Sequence, residues 1–156
     1  THVMSYYSPV LDPQYGMYVW PSAVVLAQYL WKHREELRSR TVLELGAGAS
    51  LPGVVAARCG AKVILSDSDT KPLTLQNCRR SCDANGLTEV QVLGLTWGTS
   101  HRTCPKVRWN PPYFEDVLVT VAFLLQKNPK AQFWTTYQER RYNCFGPHGI
   151  VGYDVL

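Results

Sequence analysis

No run of about 18 consecutive apolar residues occurs in the 156-residue chain, so no segment has the form of a membrane-spanning helix. There is no CxxC pair and no Cys/His ligand cluster, which excludes the usual zinc spacings. The cysteines number five, an odd count, and the N-terminus carries no signal-peptide pattern. Both points favour reduced thiols and a cytoplasmic and nuclear setting. The first residues, Thr1-His2-Val3, lack an initiator Met, and a processed or trimmed start is expected. Dense basic runs are missing too. The net charge of +4 is spread thinly, with a slight basic excess over residues 101–156, so no nucleic-acid footprint is read. A charged share of 18% beside 46% hydrophobic is too low for a disordered chain and ordinary for a folded one. The length is that of one domain, residues 1–156, able to bury a core.

What is present is one organising stretch, Thr41-Val42-Leu43-Glu44-Leu45-Gly46-Ala47-Gly48-Ala49-Ser50-Leu51-Pro52-Gly53. Val42, Leu43 and Leu45 make an apolar run too short for a helix and suited to a strand covered on both faces. Gly46 and Gly48 allow a sharp turn and a close approach to a ligand. Ser50 is placed to cap the helix that follows, and Pro52 fits its first turn. A glycine turn that feeds a helix is where α/β folds hold nucleotide-like ligands. The dinucleotide fingerprint fails, because its third small residue falls on Leu51. That disfavours an NAD-dependent oxidoreductase. A phosphate loop fails as well, since Gly-Lys-Ser/Thr is absent.

Around this stretch the punctuation is that of alternating strands and helices. Residues 1–19 are rich in Tyr and Pro and read as an extended lead-in, whose Tyr6, Tyr7, Tyr15 and Tyr18 either cover the core, which the sequence favours, or flank a pocket. Pro21 opens a helix expected to reach about Leu37, with Val24, Ala27, Leu30 and Trp31 on one face. A helix over Leu51 to Arg58 stops at Gly60. Lys62 to Ser66 is the second strand and Asp67 ends it, 21 residues after Gly46. Asp69 is a second acid in the turn that follows, and could equally be a turn residue, so Asp67 is the preferred ligand-binding acid. A helix over Lys71–Asn85 stops at Asn85-Gly86, with Leu75, Cys78 and Cys82 inward as core residues. Val90 to Gly94 is a third strand, leading into Leu95-Thr96-Trp97-Gly98.

Glu44-x-Gly46-x-Gly48 after a strand, with Ile64-Leu65-Ser66-Asp67 closing the next, resembles the first motif of the seven-strand S-adenosylmethionine-dependent methyltransferases. Trp20-Pro21-x-Ala23 ahead of that strand and Trp97-Gly98 after the third narrow the resemblance to the methyltransferase-like protein methyltransferases. The resemblance implies an α/β, Rossmann-like three-layer sandwich that binds S-adenosylmethionine. Gly46, Ala47 and Gly48 would lie under its methionine and ribose, and Asp67 would hold the ribose hydroxyls. Trp20, by itself a packing residue, would contact the cofactor, and Trp97 would stack on the adenine. Glu44 is grouped with them as the support of the loop. The chemistry suits these types: the cofactor has no phosphate to need a lysine, and a carboxylate accepts two hydroxyl hydrogen bonds. The resemblance further implies a protein substrate, with a histone H3 arginine the acceptor of its nearest member and lysine commoner in the wider branch.

The chain thus divides into a lead-in and helix (1–40), a cofactor-binding half (41–98) and a divergent half (99–156). Where the family has a fourth strand beside the first, Thr99 to Pro112 holds three prolines and no apolar run. A helix from Tyr113 to Gln126 and a strand from Ala131 to Thr136 follow, and the terminal strand pair is doubtful. The first strand is therefore expected to lack a neighbour unless the tail fills the gap. His101 and His148 are read as surface residues, and no catalytic residue is assigned. Two functions remain open: a protein N-methyltransferase, or a cofactor-binding but inactive domain, truncated or spliced, that acts through protein contacts.

Overall fold

A computed structural model describes residues 15–97, 112–138 and 153–155. The proline-rich stretch up to residue 111, Gly98, His101, His148, Tyr6 and Tyr7 lie outside the described residues, as does most of the tail. After a short 3-10 turn at Tyr15–Met17 come α1 (Pro21–Lys32), α2 (Arg34–Leu37), β1 (Thr41–Leu45), α3 (Leu51–Arg58), β2 (Lys62–Asp67), α4 (Pro72–Ala84) and β3 (Gln91–Gly94). The remaining elements are α5 (Pro112–Lys127), β4 (Thr136–Gln138) and β5 (Tyr153–Val155).

The first three strands form one parallel sheet in the order β1-β2-β3. This is an α/β fold, with helices in the crossovers that parallel strands require. Register places Val42 beside Val63, Glu44 beside Leu65, and Leu65 beside Val92. Because side chains alternate across a strand, these residues share one face. That face is the core side: Val63 and Leu65 are buried with Ala56, Cys78, Cys82, Leu30 and Leu37, and Val42 and Val92 pack against them. Full burial of Leu65 alone contributes about 1.5–3 kcal/mol. On the opposite face Leu43 and Leu93 remain exposed. The alternation carries Glu44, a carboxyl, onto the core side.

Several expectations change. The helix expected to run from Pro21 to Leu37 breaks at His33, whose backbone leaves helical geometry at φ −99° and ψ 25°. Its ring stacks on Tyr29 at 4.2 Å, and Trp134 stands edge-on to Tyr29 at 5.5 Å. Trp134 lies about a hundred residues further along, so helical periodicity carries no trace of it. Ala27 and Leu30 are buried as expected, but Trp31 is 58% exposed under the Arg34 guanidinium and Val24 is exposed as well. Ser50 is not a capping residue: it sits at φ +63° and makes no side-chain cap bond.

The strand expected over Ala131–Thr136 begins only at Thr136 and does not join the main sheet. It pairs antiparallel with β5, matching Thr136 to Val155 and Gln138 to Tyr153. Thr136 Oγ1 donates to the carbonyl of Ser22 at 2.9 Å, which ties β4 to the start of α1. Among the described residues β1 pairs with β2 alone, so its outer edge is open, and the tail strand does not fill it.

Candidate functional site

The carboxyl ends of β1, β2 and β3 converge on the loop between β1 and α3. Gly46 and Gly48 take left-handed backbone at φ +66° and +50°. Glycine is required there for space as well. A Cβ at Gly46 would stand 2.9 Å from Trp97 Cζ2, and one at Gly48 would stand 3.1 Å from the Gly16 carbonyl oxygen. Trp97, just after β3, and the 3-10 turn at Tyr15–Met17 thus both lie directly on the loop.

Every turn of the loop is tied to a neighbouring element. The Ala47 N–H donates to the Ser66 carbonyl at 2.8 Å. The Gly48 N–H donates to Asp67 Oδ2 at 2.9 Å, and the Ser68 N–H takes Asp67 Oδ1 at 2.8 Å. From α4, Cys78 Sγ donates to the Gly48 carbonyl at 3.3 Å and Ser81 Oγ to the Ala49 carbonyl at 3.2 Å. Burial pushes the Cys78 thiol up, outweighing the nearby Ser50 hydroxyl that pulls it down, so the group stays a protonated donor. Below the loop the Gly53 N–H donates to Glu44 Oε2 at 2.9 Å. A Cβ on Gly53 would collide with both that oxygen and Leu65 Cδ2.

Glu44 is the perturbed group of the site. Its carboxyl is pushed up from 4.5 to about 8, because burial opposes the charge, the Gly53 N–H opposes the rise, and the negative Asp67 adds to it. Nearby, Thr96 Oγ1 donates to Asp69 Oδ1, which links the ends of β2 and β3. Trp97 Nε1 is buried and has no hydrogen-bond partner among the described residues. A buried indole N–H left unmade costs about 1–3 kcal/mol, and an acceptor brought in by a ligand would remove that penalty.

Of the residues singled out in sequence, Glu44, Gly46, Ala47, Gly48, Asp67 and Trp97 are gathered around one loop. The ring of Trp20 meets Tyr18 edge-on at 5.2 Å. Sequence reasoning did not find the parts played by Gly16, Gly53, Cys78 and Ser81. Cys78 carried a signal, since its position on the inward face of α4 was legible, but the loop carbonyl it meets lies 30 residues away. The donor set fits S-adenosylmethionine: glycines that admit close approach, a carboxylate for hydroxyls, an unsatisfied indole donor, and no cation for phosphate in the loop.

Comparison with known proteins defines the class. The family described as lysine methyltransferase matches residues 10–143, and the chain belongs to it. Within it, the chain is 56% identical over 142 residues to a Xenopus laevis protein named histone-arginine methyltransferase METTL23, covering 84% of this chain and 61% of that one. The human protein of that name is 53% identical over 135 residues, covering 80% and 71%. A Xenopus tropicalis protein named protein N-lysine methyltransferase METTL21A is 41% identical over 83 residues, covering 53% of this chain and 39% of that one. The chain spans about three fifths of the length of the Xenopus laevis relative.

Proposed function

We propose that this chain binds S-adenosylmethionine on the loop at residues 46–50 and acts as a protein methyltransferase whose acceptor is an arginine nitrogen of histone H3. The observation that carries the reading is the Gly46–Gly48 cradle, roofed by the unpartnered Trp97 indole and pinned to Asp67. When bound, the cofactor supplies a methyl group already activated on a sulfonium. The protein's part is then mostly proximity and orientation. Asp67 uses one bond at each oxygen for Gly48 and Ser68, which leaves lone pairs for the ribose hydroxyls. Trp97 offers its face to the adenine and its N–H to an acceptor. The choice of arginine is supported by the names of the METTL23 relatives; lysine is the acceptor in the family description and in the METTL21A name. A cytoplasmic and nuclear setting belongs to the same proposal, with the free thiols of Cys59, Cys78 and Cys82 in its favour.

A second reading, cofactor binding without turnover, is favoured by the edge of β1 that stays unpaired among the described residues and by the pairing of β4 with β5 apart from the main sheet. Calorimetry with S-adenosylmethionine on the wild type and on Asp67→Ala is the first test. Binding that the substitution weakens at least tenfold is expected; no binding by the wild type would defeat both readings. Mass spectrometry of histone H3 incubated with chain and cofactor then separates them. Methylated arginine supports the enzyme, and unmodified histone beside intact binding supports the silent domain.

A further inference from the structure

Glu44 is held in an unusual position for a carboxyl. It lies on the core face of β1 in register with Leu65, and its Oε2 accepts the Gly53 N–H from the first turn of α3. The ionisable groups that act on it from neighbouring elements are acidic or thiol. Asp67 at the end of β2 bears on it, and the thiols of Cys78 and Cys82 on α4 feel its charge in turn. Neither Glu44 nor Asp67 enters an ion pair among the described residues. The floor of the loop therefore gathers two carboxyls met by backbone N–H groups, Gly53 at Glu44 and Gly48 and Ser68 at Asp67, with no cation beside them among the described residues.

With the loop empty, burial on the core side of β1 is the main reason the Glu44 carboxyl resists ionising, and the negative Asp67 adds to it. A cation above the loop reverses this, because opposite charge in a low-dielectric site favours the ionised form. We propose that Glu44 is a positioning residue that is protonated in the free protein and gives up its proton when a cationic ligand occupies the glycine loop. Ionised, it holds the Gly53 N–H by a stronger, charge-assisted bond and so stiffens the start of α3 under the bound ligand. The step is a simple proton transfer from the Glu44 carboxyl to solvent, with no covalent change. A ligand without the sulfonium charge would leave Glu44 with less reason to stay ionised, so the proton would return to it from solvent. This inference rests on the proposed S-adenosylmethionine site.

The test is calorimetry of S-adenosylmethionine binding at pH 7 in buffers of different ionisation enthalpy, on the wild type and on Glu44→Gln. Gln keeps an oxygen for the Gly53 N–H and has no proton to lose. The wild type is expected to release most of one proton per site relative to the variant. Its affinity should also rise up to about tenfold per pH unit between pH 6 and 8, against a flat profile for Glu44→Gln measured with the same ligand. S-Adenosylhomocysteine, which lacks the sulfonium charge, should release less; equal release would assign the effect to the ammonium that both ligands carry. Binding with equal proton release in wild type and variant overturns the inference alone, whereas absence of binding defeats the proposed function. Should Glu44→Gln fail to fold, carbon-13 NMR of the wild-type Glu44 carboxyl decides: a titration that shifts to lower pH on ligand addition supports the proposal, and an unmoved titration overturns it.

Discussion

Glu44 also governs how the free protein responds to pH. Its carboxyl titrates at about 8 in the folded chain against an ordinary 4.5. Between those values the folded state holds a proton that the unfolded state has lost, so stability falls as pH rises. The contribution is fully present below about pH 4.5 and is lost by about pH 8, on the order of a few kcal/mol. Urea unfolding midpoints measured across pH 5–8 should fall for the wild type, and the slope should flatten in Glu44→Gln. Gly53 is the residue that presses on it. Gly53→Ala places a methyl against Glu44 Oε2 and Leu65 Cδ2, with no open space to receive it. A loss of about 1–3 kcal/mol is expected in the same assay, with weaker cofactor binding beside it. At this scale Gly46, Gly48, Asp67 and Trp97 were legible, because the motif types them and the chemistry explains them. Gly53 was not, since its need for glycine comes from an oxygen nine positions back on another element.

Among elements, α4 does more than cover the sheet. Its inward face places Cys78 on the Gly48 carbonyl and Ser81 on the Ala49 carbonyl, so the helix clasps the loop it faces. Cys78→Ala should lose about 1–2 kcal/mol of unfolding free energy, part from the space left at a fully buried side chain and part from the lost hydrogen bond. Cys82→Ala, buried on the same face but without a bond to the loop, serves as the control. Both variants should be destabilised, and only Cys78→Ala should weaken S-adenosylmethionine binding beyond what its stability explains. The positions of α3, β2, α4 and β3 follow from proline starts, glycine stops and apolar runs, which act within a few residues. The break of the first helix at His33 does not follow from them, because no proline or glycine marks it, and one of the rings His33 meets, Trp134, comes from far along the chain.

For the molecule as a whole, the sheet is the weak point. Three parallel strands pack on one face, leave Leu43 and Leu93 exposed on the other, and end at an open β1 edge among the described residues. Parallel sheets are ordinarily covered on both faces, and an open edge leaves backbone groups to water. Replacing residues 99–111 with the segment that the Xenopus laevis relative has at that place should raise the midpoint of thermal unfolding by several degrees, on the order of 4–8 °C per kcal/mol gained. Slower amide hydrogen exchange in β1 should accompany it. A chimera with an unchanged midpoint and unchanged β1 exchange would show that the edge is already satisfied in this chain.

The sequence by itself determined the strand–glycine turn–helix at residues 41–58, the order of strands and helices up to Gly94, and the identity of the loop that gathers the site. Those features rest on local rules: side-chain period, backbone freedom at glycine, and the fixed geometry of proline. Only the tertiary structure decided that Ser50 adopts left-handed backbone in place of capping, that Thr136–Gln138 pairs with the tail and not with β1, and that burial pushes the Glu44 carboxyl up to about 8. Desolvation and choice of strand partner depend on groups brought close from far along the chain, and a carboxyl in a sequence carries no mark of the water it will lose.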